Sequence, residues 1–254
     1  MPISKKRLVL VWRDTLRQCK ELYSDTPASE VIDTSVFPPL ETIEQRYSEC
    51  LVKVVNMDTF TAAQKMIGGG LSPLVLNMAS DYCPGGGVRK GSRAQEECLF
   101  RCSNYTTTLD KSLLPRDTYP LGSLDMIYSS EVTVFKTWRY ESLEVPFKVS
   151  CIACAGMRKP ELNDDDTDYL YQNDYDLMCE KIEGIFRIAY EKGHNSLLLG
   201  AIGCGAFRNP PRVVASIFAE KVEKWKPAFR SIGFAVLAHG ACENFEVFKE
   251  VLTP

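Results

Sequence analysis

The sequence predicts an α/β layered fold, and three observations carry that prediction. Short apolar runs recur at 50–56, 74–80, 132–136, 147–155, 196–202 and 233–239. Several of them lack the strict alternation of a half-exposed strand, as strands covered on both faces do. Segments with helical spacing lie between them at 59–68, 95–110, 177–192 and 212–226, and alternating strands and helices build layered sheets. Two of the apolar runs lead into glycine-rich loops that open into helices, the place where such sheets hold ligands.

The first element is a helix. Residues 4–23 carry Leu8, Trp12, Leu16 and Leu22 at helical spacing and stop before Ser24-Asp25-Thr26-Pro27, with Pro27 as the break. Its apolar run LVLVW ends after five residues at Arg13 and Asp14, too short for a signal segment or a membrane span. With no repeat, low-complexity block or Pro/Gly-rich linker, residues 1–254 are expected to form one domain, with 1–50 as a helical extension packed on it. A composition of 45% hydrophobic and 25% charged residues is that of a compact globular chain. A net charge of −3 excludes a broad basic footprint for nucleic acid, so a polyanionic ligand must be held by local geometry. Ten cysteines in a chain of this size, without the small loop-rich scaffold that disulfides staple, predict a reduced, intracellular protein, cytoplasmic or nuclear.

The second apolar run introduces the chemistry. Asn77 falls at the carboxyl end of the strand beginning near Leu74, where an amide can read a sugar hydroxyl as both donor and acceptor. Gly85, Gly86 and Gly87 follow. Each glycine costs roughly 1 kcal/mol relative to Ala in regular structure, so three together point to close approach of a ligand. Gln95, Glu96 and Glu97 then occupy the first turn of a helix whose Leu99, Cys102 and Tyr105 face inward. Carboxylates in a first turn have an ordinary explanation in the helix dipole. Adjacent helical side chains diverge by about 100°, so this pair cannot flank one bond as a glycosidase pair does. If both act, one holds a sugar hydroxyl and the other transfers a proton. A helix N-terminus lowers a carboxyl pKa and burial raises it, and the sequence leaves that balance open.

The second loop, LLLGAIGCGAFRNPP, runs from a buried strand through Gly203 and Gly205 to a helix that starts near Pro211. It reads either as a backbone cradle for a diphosphate or as a tight strand-to-helix turn. Two nucleotide fingerprints are excluded by the letters. In GGVRKGS, Lys90 precedes Gly91 where a P-loop needs Gly-Lys, and GCGAFR lacks the third glycine of a dinucleotide fold.

Other constellations have plainer readings. Cys151 and Cys154 sit in an apolar strand without a second pair for zinc, and Cys98 and Cys102 are one helical turn apart with no nearby His. Cys204 lies in the second loop, where N–H dipoles can lower a thiol pKa, and loop packing is the favoured role. His194 after a helix and His239 at a strand end form no metal cluster. NDDDTD at 163–168 lacks the glycine of a calcium loop and reads as solvated. Lys221, Lys224 and Lys226 read as a solvated helix face.

The segment LNMASDYCPGGGVRKGSRAQEE, residues 76–97, resembles the signature of the microbial-type poly(ADP-ribose) glycohydrolases. That signature is three glycines, six to eight residues, then Gln-Glu-Glu; the gap here, 88–94, is seven. LGAIGCGAFRNPP resembles the family's diphosphate loop, and VVNMDTFTAA at 54–63 its early strand-to-helix junction, with the likeness spanning roughly 4–250. The resemblance implies a three-layer α/β/α macrodomain with a mixed central sheet and an added N-terminal helical segment. It also implies hydrolysis of ribose–ribose O-glycosidic bonds to release ADP-ribose, with no metal or cofactor. Its partners would be poly(ADP-ribose) or ADP-ribosylated macromolecules, with no membrane, and the chain would be a monomer that reverses ADP-ribosylation, as in the DNA damage response.

On the family pattern Glu97 is the acid that protonates the leaving oxygen and then helps activate water, and Glu96 holds ribose hydroxyls. Gly85, Gly86, Gly87 and Val88 would lie against diphosphate and distal ribose, with Asn77 and Gln95 beside them. Gly203, Cys204, Gly205, Ala206 and Phe207 would close over the phosphates, with Phe207 against the ribose, and Asp58 would read adenine. A hydrolase of mono-ADP-ribosylated protein or nucleic acid, and a non-catalytic ADP-ribose reader, are the alternatives. The intact Gln-Glu-Glu argues against the reader, which needs no proton donor.

Overall fold

The structure, a computed structural model, describes residues 3–24, 29–109, 114, 118–238 and 240–253. Among these residues one mixed sheet of seven strands runs through the molecule, in the order β1-β4-β5-β3-β6-β7-β2. The strands are β1 (Glu30–Asp33), β2 (Leu51–Val55), β3 (Pro73–Met78), β4 (Asp125–Lys136), β5 (Ser142–Cys154), β6 (Ser196–Leu199) and β7 (Ser231–Ala235). From β2 to β5 neighbouring strands are parallel, and β5-β4-β1 are antiparallel. The helices are α1 (Lys5–Leu22), α2 (Thr59–Gly68), α3 (Gln95–Cys102), α4 (Tyr105–Thr108), α5 (Gln172–Glu191), α6 (Pro211–Trp225) and α7 (Glu243–Leu252).

Alternation along β3 shows why the apolar runs are continuous. Leu74 and Leu76 pack with Ile182, Ile185, Phe218 and Phe248 of α5, α6 and α7. Val75 faces the other side, with Trp12, Phe60, Leu99 and Phe100 of α1, α2 and α3. Both faces are covered by helices, which makes the three-layer α/β/α arrangement.

Several expectations are corrected. Helix α1 buries Leu8, Trp12, Thr15 and Cys19, whereas Leu16 is 40% and Leu22 66% exposed. The inward stripe is set by partners: Thr15 Oγ1 donates to the Arg101 carbonyl at 2.7 Å and accepts from Lys136 Nζ at 2.8 Å. Residues 1–50 are not a purely helical extension, because Glu30–Asp33 adds an edge strand beside β4. The helix expected over 95–110 breaks at Ser103 and Asn104. Asn104 bonds the β4 backbone twice, its N–H to the Thr133 carbonyl and its Oδ1 to the Thr133 N–H, at 3.0 and 2.8 Å. Pro27 and His239 lie outside the described residues.

Candidate active site

Gln95 fixes the site. Its Oε1 accepts from the Met78 N–H at 3.0 Å, and its Nε2 donates to the Leu76 carbonyl at 2.7 Å and to Thr59 Oγ1 at 3.2 Å. These bonds tie the first turn of α3 to the carboxyl end of β3 and to the start of α2. The amide expected to touch substrate is thus fully engaged in holding the scaffold, although Gln95 also lines the cavity.

Glu96 and Glu97 both lie within that turn and both are buried, at 3% and 7% exposure. Glu96 Oε2 accepts from the Ser80 N–H at 2.8 Å, and its Oε1 accepts from the Gly85 N–H at 3.1 Å and from Asn77 Nδ2 at 3.3 Å. Burial nevertheless outweighs these three donors and pushes the Glu96 carboxyl up to about 7. Glu97 Oε1 accepts from the Gly87 N–H at 2.9 Å. Its Oε2 is buried with no hydrogen-bond partner among the described residues.

The two carboxylates converge on Gly86, whose φ is +50°. A Cβ there would stand 2.9 Å from Glu97 Oε1 and 3.2 Å from Glu96 Oε2. At Gly85 it would meet the Phe100 ring at 2.6 Å, and at Gly87 Ser92 Oγ at 2.2 Å. The triplet therefore makes room for the protein's own Phe100, Ser92 and carboxylates, and Gly86 and Gly87 line the cavity as well. Its N–H groups point the same way: Gly85 and Gly87 donate to the two carboxylates, and Gly86 to the Cys83 carbonyl. The divergence of adjacent helical side chains does not separate Glu96 from Glu97, because both fold back onto one loop. It is the unequal set of donors that makes them different groups.

The second loop is organised by Asn209, which sequence reasoning missed. Its Nδ2 donates to the carbonyls of Met157 at 2.7 Å and Gly203 at 3.1 Å, and its Oδ1 accepts from the Tyr169 hydroxyl at 2.9 Å. Gly203 turns left-handed at φ +74° directly against that amide, where a Cβ would come to 2.4 Å. Beyond it the loop is open. A Cβ at Gly205 would meet nothing within 4 Å. The N–H groups of Gly205, Ala206 and Phe207 have no partner among the described residues.

Between the loops lies a cavity of about 1300 Å³. It brings together Asp58, Gly86, Gly87, Gln95, Glu96, Glu97, Gly203, Gly205, Ala206 and Phe207. Four expected site residues stand behind its wall. Asn77 is fully buried behind Glu96, and Gly85 packs on Phe100. Val88 belongs to the core under α1, and Cys204 packs toward the core on the other side of the sheet. Burial pushes the Cys204 thiol up, in keeping with the simpler reading of loop packing. Asp58 caps α2 by accepting the Thr61 N–H at 3.1 Å and faces the cavity as well.

Sequence reasoning also missed Ser80, Asp81, Tyr82 and Arg158, all of which line the cavity. Ser80 and Asp81 lie inside the signature segment but match none of its fixed letters, and Arg158 belongs to no motif.

The residues set aside keep structural roles. Cys151 and Cys154 are buried free thiols, both pushed up by burial. His194 Nε2 lies 3.1 Å from the Tyr128 hydroxyl and its Nδ1 3.1 Å from the Ser72 carbonyl. Lys221, Lys224 and Lys226 pair with Glu220, Glu183 and Glu223. Among the described residues no three His, Cys, Asp or Glu side chains gather as metal ligands, and no helix is long and apolar enough to cross a membrane.

A mixed sheet between helical layers, with a glycine-rich loop from each of two parallel strands meeting over one cavity, defines a macrodomain-like α/β/α protein. Residues 16–137 match the family model for the catalytic domain of microbial-type PARG, a span that contains Asp58, the glycine triplet and Gln95–Glu97. Poly(ADP-ribose) glycohydrolase from Thermomonospora curvata superimposes with a TM-score of 0.81 at 23% identity, covering 96% of this chain and 98% of that one. A point mutant of the Deinococcus radiodurans glycohydrolase in complex with ADP-ribose gives 0.69 at 28% identity, over 81% of this chain and 85% of that one. Another structure of the Deinococcus radiodurans glycohydrolase with ADP-ribose gives 0.69 at 24% identity, covering 98% and 90%. No curated protein sequence matches the chain. The family model thus matches the part of the chain that carries the first glycine loop and Gln95–Glu97, and the Thermomonospora curvata enzyme shares the fold.

Proposed function

We propose that the protein hydrolyses the ribose–ribose O-glycosidic bonds of poly(ADP-ribose) and releases ADP-ribose. The observation that carries this reading is the asymmetry of the two carboxylates in one cavity. Glu96 is held by three donors, whereas Glu97 is anchored through one oxygen and keeps the other unpartnered. An anchored carboxyl group with a free oxygen can donate a proton to a leaving ribose oxygen and then accept one from the attacking water. General acid–base catalysis of that kind contributes typically ~10²- to 10⁴-fold. Glu96, with its oxygens arranged by backbone donors, receives ribose hydroxyls.

The unpartnered N–H groups of Gly205, Ala206 and Phe207 suit a diphosphate. Held there, the phosphates face the positive charge that develops on the reacting sugar. Backbone dipoles of this kind need no basic surface, which agrees with the net charge of −3. Phe207 packs beside the distal ribose and Asp58 reads the adenine. A cavity of about 1300 Å³ exceeds the range of roughly 300–1,000 Å³ usual for small-molecule sites, room enough for one ADP-ribose and part of its neighbour. The protein acts as a single monomeric domain on polymer or polymer-bearing macromolecules. Ten unpaired cysteines favour a reducing, intracellular setting, where it reverses ADP-ribosylation, including that raised by DNA damage.

Glu97→Gln tests the reading. Release of ADP-ribose from polymer is expected to fall by ~10²-fold or more, while ADP-ribose still raises the melting temperature of the variant. Unchanged turnover refutes Glu97 as the acid. Mono-modified protein assayed alongside polymer identifies the leaving group.

A further inference from the structure

We propose that Tyr82 and Arg158 form a subsite for the nucleotide on the far side of the scissile bond, so that polymer is selected through the unit left behind. The inference rests on the glycohydrolase reading. Cleavage of a ribose–ribose bond separates two nucleotides, so a polymer-selective site has a second adenine and a second diphosphate within reach. An aromatic face for the base and a cation for the phosphate are the groups that bind such a unit.

Tyr82 presents such a face. The residue is 72% exposed and lines the cavity. Its backbone is fixed, because Ser80 Oγ accepts from the N–H groups of Tyr82 at 3.2 Å and Cys83 at 3.4 Å. The Ser80 N–H in turn holds Glu96 at 2.8 Å. An exposed ring thus stands two residues along the chain from an anchor of the carboxylate pair.

Arg158 lines the same cavity from the loop after β5. The carboxylate of Asp81, next to Tyr82, accepts from its Nε at 3.3 Å and from its Nη2. The guanidinium carbon lies 4.5 Å from the centre of the Phe207 ring. Its Nη1 has no partner among the described residues and remains available to a phosphate. The Arg158 and Asp81 side chains are 52% and 35% exposed, and an ion pair that open adds little to folding. The fold asks for neither an exposed ring nor an exposed guanidinium at this mouth. Ligand recognition explains both.

The test measures binding without turnover. In the Glu97→Gln protein, affinities for free ADP-ribose and for a two-unit ADP-ribose oligomer are compared, with Tyr82→Ala, Arg158→Ala and Arg158→Lys added singly. The oligomer is expected to bind ~10-fold or more tightly than ADP-ribose. Tyr82→Ala and Arg158→Ala should each cut that ratio by ~5- to 10-fold, and Arg158→Ala should also reduce the log–log salt slope by about 1. Arg158→Lys keeps the charge, so it should restore the salt slope and only part of the ratio. An oligomer that binds no better than ADP-ribose, or a ratio unmoved by both alanine variants, overturns the subsite. Failure of the parent reading registers separately, as wild-type protein that leaves polymer intact. The binding ratio still reports on the subsite in that event.

Discussion

Replacing Gly86 with Ala perturbs the site without removing a functional group. Two effects arise at that position. The backbone is left-handed at φ +50°, a conformation that costs a side-chain-bearing residue roughly 1–2 kcal/mol. The new Cβ would also stand 2.9 Å from Glu97 Oε1 and 3.2 Å from Glu96 Oε2, closer than it can remain. Neither carboxylate has free room to retreat, since Glu96 is held by Ser80, Gly85 and Asn77, and Glu97 by Gly87. The loop and α3 must therefore part by a few tenths of an ångström. Gly70 separates the two effects, because its φ is +76° and a Cβ there would meet nothing within 4 Å. Gly70→Ala should lower stability by about 1–2 kcal/mol and leave turnover unchanged. Gly86→Ala should lose at least about 1 kcal/mol more and lower kcat by ~10-fold or more, as misplacement of about 1 Å costs ~10²-fold. Urea denaturation and polymer turnover measure both. If the two variants match in stability and both keep full kcat, the close packing of the glycine loop on the carboxylates is not what positions the acid.

Two further outcomes follow from the site. The Glu96 carboxyl rises from 4.5 to about 7 on folding, so between those values the folded chain binds more protons than the unfolded one. Stability from this group is therefore present at low pH and declines as pH rises through about 4.5–7, by roughly 3 kcal/mol at ~1.4 kcal/mol per pH unit. The difference in unfolding free energy between wild type and Glu96→Gln should change across that window and flatten above it; a constant offset from pH 4.5 to 8 refutes the assignment. Asn209→Ala removes the side-chain partner of the Met157 carbonyl and of the Tyr169 hydroxyl, while the Gly203 carbonyl keeps the Asn209 N–H, a loss of about 2–6 kcal/mol at ~1–3 kcal/mol for each of the two groups left unpaired. KM for polymer should rise more than kcat falls, because the cradle and not the acid is loosened, and a fall in kcat at constant KM would refute that role.

What the sequence shows of this molecule depends on how local the cause is. The strands from β2 to β7 and the helices α2, α5 and α6 declare themselves by apolar period, which needs no knowledge of partners. Strand β1 does not, because Glu30–Asp33 offers only Val31 and Ile32 and pairs along one edge. Helix α7 carries Phe245, Phe248 and Leu252 at helical spacing, a signal that was present but short. The break after Cys102 is invisible in principle, since it comes from Asn104 pairing with Thr133 of β4. The same distinction holds in the site. Glu96, Glu97 and the glycines were legible as a pattern, but the reason for the glycines was not. It lies in Phe100 and Ser92, residues that meet the loop only in three dimensions.

The two glycine loops do opposite work with the same backbone groups. In the first, the N–H groups of Gly85 and Gly87 turn inward onto the protein's own carboxylates. In the second, those of Gly205, Ala206 and Phe207 have no partner among the described residues. A buried carboxylate without donors is expensive to keep ionised, whereas an open N–H beside a cavity favours an incoming anion. Catalysis at a sugar attached to a diphosphate needs both, an acid that stays where it is put and an anion that can be held and released. A loop whose N–H groups already hold Glu96 and Glu97 cannot also hold phosphate. On the proposed reading this division of work accounts for the two glycine loops, and substitutions in the first should act on kcat and those in the second on KM.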